Sequence, residues 1–267
     1  MLSNRIVLVC ILTAVIHLIG ISSLSARIVG TRTKRLASST SLFNIIILFS
    51  QFANTIQAPL LTKFVETNII LQHGPDNSIF RLIIFSSTIG AILGALSIPT
   101  LHRFMEKGVN AMYKYNSVFM VVIKSLKVST ITHFKDSFKI PLKDNFLRLG
   151  KFQGLKMGII LLNIIVYAFI TVSVLSCLYS GYLNPSLRTT SLSMSGIASG
   201  LGAVGMLLFI EPYNAILTDK VIEGSVSEAY FRRHLSLVIL AKIIGTMAGQ
   251  FLFIPLAHII TNLASLL

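Results

Sequence analysis

Six apolar runs, each about as long as a bilayer is thick, leave this chain almost no way to fold except across a membrane. They lie at roughly 5–26, 38–61, 80–101, 157–179, 190–211 and 235–262. A helix rises about 1.5 Å per residue, so ~20 apolar residues cover a hydrocarbon core ~30 Å thick. Backbone N–H and C=O groups find no water there, and a helix satisfies them within itself. The expected fold class is therefore an all-α integral membrane protein of about six transmembrane helices. Pro255 falls inside the last run and is expected to kink or interrupt it.

The charged residues fit that reading. They make up 12% of the chain, against about 25% in a soluble domain. Those present are mostly basic, for a net charge of +14. On an apolar chain such an excess points to loops facing an anionic membrane surface, or to an anionic substrate, rather than to nucleic acid. Cys10 and Cys177 lie in apolar runs and offer neither a metal spacing nor a disulfide framework.

Orientation follows from where the 23 lysines and arginines fall. Arg27, Arg32, Lys34 and Arg35 follow the first run, eleven more lie between Arg103 and Lys156, and Lys220, Arg232 and Arg233 precede the sixth. Only Arg5, Lys63, Arg81 and Arg188 lie on the other side. The positive-inside rule then sets both termini outside. The same cluster argues that the first run is a retained helix rather than a cleaved signal peptide.

Three regions result: 1–101, a basic stretch at 102–156, and 157–267. The middle stretch is too long for a turn and too apolar for a free tail. Its segment 115–131 is interrupted by Lys124 and Lys127, so it reads as an amphipathic helix lying on the inner leaflet. Were it to cross, the count would be seven and the C-terminus would lie inside.

A weak internal repeat links the outer regions. Leu24-Ser25, Gly30, Leu36 and Thr40-Ser41-Leu42 are echoed by Leu175-Ser176, Gly181, Leu187 and Thr190-Ser191-Leu192. Ile89-Gly90, Gly94, Ile98-Pro99 and His102 are echoed by Ile244-Gly245, Gly249, Ile254-Pro255 and His258. Three spans per repeat is an odd number, so the halves are expected to be inverted, with a site near the midplane between them. Chance similarity between apolar, small-residue helices is the competing account.

Several intramembrane groups could carry function. Asn44, Gln51, Asn54, Thr55 and Gln57 crowd the second run. Carboxamides in lipid need partners, so this face should point into the bundle, either as glue between helices or as a substrate path. The glycines of 195–205, like Gly90/Gly94 and Gly245/Gly249, suit close helix packing first and sliding second. Lys242 lies ~10 Å inside the last run. Left unpaired near the bilayer centre it costs about 2.5 kcal/mol, so it either snorkels or meets an anion. Glu211 is a candidate partner for it, or a proton carrier. His17 and His258 read as satisfied core histidines. No enzyme constellation, metal spacing or nucleotide loop appears, and no cofactor is expected.

Residues 27–35 (RIVGTRTKR), then Ser41-Leu42-Phe43-Asn44 and Asn54-Thr55-Ile56-Gln57-Ala58-Pro59-Leu60, together resemble the Amj family of bacterial lipid II flippases, described as alternate to MurJ. The resemblance implies movement of a lipid-linked peptidoglycan precursor from the inner to the outer leaflet, with lipid II and anionic membrane lipids as partners. It carries no residue-level mechanism. On physical grounds Arg27, Arg32, Arg35 and Lys242 could collect the pyrophosphate, with Glu211 nearby. Asn44, Gln51, Asn54 and Gln57 could replace water around the sugars. The alternatives are an ion-coupled transporter of another anionic solute, a polyprenyl-phosphate membrane enzyme, and a scaffold docking through the basic loop. Neither the coupling ion nor the oligomeric state follows from the sequence.

Overall fold

The structure is a computed structural model that describes residues 4–115 and 156–267. Every regular element among them is helical, and six stretches are long and apolar enough to cross a membrane. Span 1 is Asn4–Thr33, span 2 Leu36–Ile70, span 3 Ser78–Tyr115, span 4 Met157–Leu183, span 5 Pro185–Ile222 and span 6 Glu228–Leu266. The reading of 115–131 as an interfacial helix lies almost wholly outside the described residues.

The spans run longer than the apolar runs because polar turns continue the helix beyond the hydrocarbon. Span 3 carries on through Arg103 and Lys107 to Tyr115, so the connection placed at 102–156 begins later than expected. Span 6 is one helix from Glu228 to Leu266 and passes through Pro255 without interruption. Ser227 opens it, its side chain accepting from the Tyr230 backbone N–H. That is the usual way of satisfying an orphan donor at a helix start. Span 1 is two helices broken at Ser23, whose hydroxyl donates to the Gly20 carbonyl at 2.8 Å. Span 5 is broken further, with a π-helical turn at Met206–Ile210 directly before Glu211. Such turns concentrate at functional sites.

Glycines decide which spans pair. A Cβ on Gly90 of span 3 would drive into the Ala14 backbone of span 1, and one on Gly94 would lie 2.7 Å from the Leu18 carbonyl oxygen. A Cβ on Gly245 of span 6 would lie 2.7 Å from the Ile164 carbonyl oxygen of span 4, and one on Gly249 would lie 2.9 Å from Val172. Spans 1 and 3, and likewise spans 4 and 6, therefore touch backbone to backbone, as small residues permit in lipid. The small-faced run in span 5 serves the same end at Gly202 against Ile170 and Gly205 against Val166, whereas Gly196 and Gly200 face open space.

The two pairs meet around an aromatic knot. Phe80 of span 3 stacks on Phe253 of span 6 with centroids 5.6 Å apart, and both contact Tyr179 of span 4. Near it Tyr182 donates to the Gly74 carbonyl at 2.8 Å, so the end of span 4 lies beside the 71–77 turn. At the opposite face Arg32 lies 3.8 Å from Glu228, which also pairs with Arg232. The basic segments that end span 1 and open span 6 thus share one face of the bundle.

Candidate functional site

Spans 1 and 2 stand apart from spans 4 and 5 along a cleft of about 620 Å³. Span 2 supplies one wall with Phe43, Ile47, Ser50, Gln51, Asn54, Gln57, Ala58 and Leu61. Those positions repeat at three and four residues, one face of a helix. From Phe43 to Leu61 the wall runs ~27 Å at the helical rise, close to the ~30 Å of the hydrocarbon core. Thr13, His17 and Ser23 of span 1 face it, with Tyr167, Thr171 and Ser173 of span 4 and Ser199 of span 5. The polar part of that wall, Ser50 to Gln57, needs partners in a lipid setting.

Two buried acceptors on the cleft wall have no partner among the described residues. Gln57 Oε1 and Ser173 Oγ are closed off by their neighbours and lack a hydrogen-bond partner, and both residues line the cleft. The other two such atoms among the described residues, on Asn163 and His234, belong to residues outside it. An unpaired buried polar atom costs about 1–3 kcal/mol.

Lys242 is brought into this cleft. It is 4% exposed, and its ammonium lies 4.6 Å from the centroid of the Tyr167 ring. A cation over an aromatic face is held by the ring quadrupole, more strongly where water is scarce. Among the described residues no carboxylate lies within ion-pair distance of it, so Glu211 is not its partner. Glu211 instead accepts from Arg27. Nor does Glu211 end span 5, which continues to Ile222.

The Arg27–Glu211 pair anchors a chain of polar contacts at the basic end of the cleft. Arg27 Nη1 also donates to the Thr218 hydroxyl at 3.4 Å. Thr218 donates to the Asn214 carbonyl at 2.6 Å, and His234 Nε2 lies 2.9 Å from Asn214 Oδ1. Spans 1, 5 and 6 are thereby tied together through side chains, two of which, Thr218 and His234, are fully buried.

The remaining candidates lie elsewhere. Asn44 is exposed, one position off the cleft face that Phe43 occupies. Thr55 is also outside, its hydroxyl donating to the Gln51 carbonyl of its own helix. Arg35 stacks over Tyr113 at 3.8 Å and donates to Asn110 at 3.3 Å on the extension of span 3. Arg32 lines a separate groove between spans 3 and 6. Sequence reasoning missed the wall from span 4. Its one legible sign was Thr171 and Ser173 in the middle of an otherwise apolar run.

Fold and cleft together define a multi-pass helical membrane protein with a cleft between spans 1 and 2 and spans 4 and 5 that carries a polar stretch along its length. The chain belongs to the Amj family, described as Alternate to MurJ, which matches residues 12–264. It is similar to Lipid II flippase Amj of Bacillus subtilis (strain 168), with 28% identity over 271 residues covering 97% of this chain and 96% of that protein. No solved structure matches it.

Proposed function

We propose that this protein is a lipid II flippase of the bacterial cytoplasmic membrane, passing the headgroup of the precursor through the cleft while its polyprenyl tail stays in lipid. The observation that carries the reading is the polar face of span 2, Ser50 to Gln57, in a cleft nearly as long as the hydrocarbon is thick. Family membership and the curated relative point the same way.

The chemistry of the substrate matches what the cleft offers. A pyrophosphate needs cations, and Lys242 and Arg27 are at hand. Arg27 is masked by Glu211 and Thr218 at rest, so an arriving anion competes with Glu211 for the guanidinium. Sugars and peptide need hydrogen-bond partners in place of water, and Gln51, Asn54, Gln57, Ser173 and Ser199 supply them. No bond in the substrate is made or broken. The Arg27–Arg35 end faces the cytoplasm, where Arg35 collects the anion, and both termini face outward. The two three-span halves act as inverted repeats, each rocking to open the cleft to one side.

Outer-leaflet exposure of lipid II, in cells where this is the only flippase, tests the reading. A headgroup-cleaving probe added outside should lose its substrate when the protein is depleted, while precursor accumulates within. Unchanged exposure after complete depletion would overturn it. Phosphate release from a polyprenyl pyrophosphate by the purified protein would favour the enzyme reading instead.

A further inference from the structure

The second cavity, a groove of about 320 Å³, is distinct from the cleft and shares no lining residue with it. Ile92, Leu96 and Pro99 of span 3 form one wall, and Leu235, Ile239 and Ile243 of span 6 the other. Ser236 is the one hydroxyl along it. Ile92, Leu96 and Leu240 are 42%, 44% and 38% exposed, so the groove opens onto the lipid side. One end is charged: Arg32, His102 and Arg232 line it. The opposing charge is Glu228, paired with Arg232 and 3.8 Å from Arg32. Two guanidinium groups against one carboxylate leave an excess for a phosphate.

Length decides what fits. From Ile92 to His102, and from Arg232 to Ile243, each wall runs ~15 Å at the helical rise. That is half of the ~30 Å hydrocarbon core, the depth of one leaflet. The apolar walls have nothing to offer sugars or a peptide, and the groove has room for a single chain. A cationic head above an apolar slot one leaflet deep is the negative image of a phospholipid.

We propose that this groove binds one anionic phospholipid of the basic-side leaflet, an acyl chain between spans 3 and 6 and the phosphate against Arg32 and Arg232. The lipid bridges the two halves of the protein where they meet. Arg32 then serves this lipid rather than the cleft. The proposal does not rest on the flippase reading, and its test needs no transport.

Full-length protein in detergent, offered equal amounts of phosphatidylglycerol and phosphatidylcholine, should retain phosphatidylglycerol in native mass spectra. The preference should fall about fivefold for each arginine neutralised in R32Q and R232Q, as expected for one cation near a headgroup. Leu96→Trp fills the slot without touching the charges and should also displace the lipid. A phosphatidylglycerol carrying a photoreactive acyl chain locates it in the unmodified protein. Crosslinks should fall within 92–102 and 235–243. Equal retention of both lipids overturns the proposal, as do crosslinks confined to other segments. So does a polyprenyl pyrophosphate that displaces phosphatidylglycerol from those crosslinks, which would make the groove a substrate site.

Discussion

Arg27 and Glu211 are 184 positions apart and form an ion pair at the basic end of the cleft. Arg27 is mostly buried and Glu211 about 39% exposed, so the pair is a partly solvated clasp between spans 1 and 5. Spans 1 and 5 line opposite sides of the cleft. Opening the cleft at this end requires that the clasp part or that an anion replace Glu211.

Removing Glu211 leaves a mostly buried guanidinium whose remaining hydrogen-bond partner among the described residues is the Thr218 hydroxyl. E211A should therefore destabilise the protein by about 1–3 kcal/mol. E211Q keeps an acceptor for Arg27 and should lose less. Melting in detergent checks the order. Transport should fall furthest in R27A, which takes away both the clasp and the cation, and an unimpaired R27A would remove Arg27 from the path.

Lys242 makes the opposite prediction for stability. Its ammonium is buried over Tyr167 with no carboxylate at ion-pair distance among the described residues, so an apolar replacement of similar length relieves a desolvation cost. K242M should melt at the same or a higher temperature. Transport should drop roughly tenfold or more, equivalent to ~1.4 kcal/mol of lost anion interaction, with partial recovery in K242R. A K242M protein that flips at the normal rate would show that the residue only packs.

Gly90 is predicted to tolerate no side chain. Its Cα lies against the Ala14 backbone, where no flexible atoms can move aside. Overpacking of this kind costs about 1–3 kcal/mol, so G90A should lower the melting temperature and expression together. Gly196, where an added methyl would meet nothing within 4 Å, is the control, and G196A should be neutral.

A pH effect is expected at the turn before span 3. The Asp76 carboxylate accepts from the Ser78 backbone N–H at 2.8 Å. That bond and the Ser78 hydroxyl hold its pKa below the ordinary carboxylate value of 3.8. A depressed pKa gives stability that is present above the unfolded value and lost as pH falls through the folded one. At neutral pH, D76A should cost a few tenths of a kcal/mol, the order expected of an exposed charge interaction. The gap between wild type and variant should narrow as pH drops below about 4. A gap that stays constant with pH would mean that the carboxylate charge contributes nothing there.

The membrane class and the number of spans were legible in the sequence because lipid imposes them one segment at a time. An apolar run of sufficient length must be a helix, whatever its neighbours do. Gly90, Gly94, Gly245 and Gly249 were likewise legible as packing residues, since small side chains in lipid have few other uses. What the sequence could not settle was partnership. Lys242 and Glu211 looked like a pair because both sit near the basic side, yet Arg27 holds Glu211 and Tyr167 holds Lys242. Asn44 looked equivalent to Gln51, but the actual rotation of span 2 turns Phe43 into the cleft and Asn44 out of it. The span 4 hydroxyls of Thr171 and Ser173 joined the site from a mostly apolar run that gave no sign of which way they face. Helix existence depends on local composition and the solvent. Which side chains meet depends on rotation, tilt and backbone approach between segments far apart in the chain, and only the assembled bundle decides those.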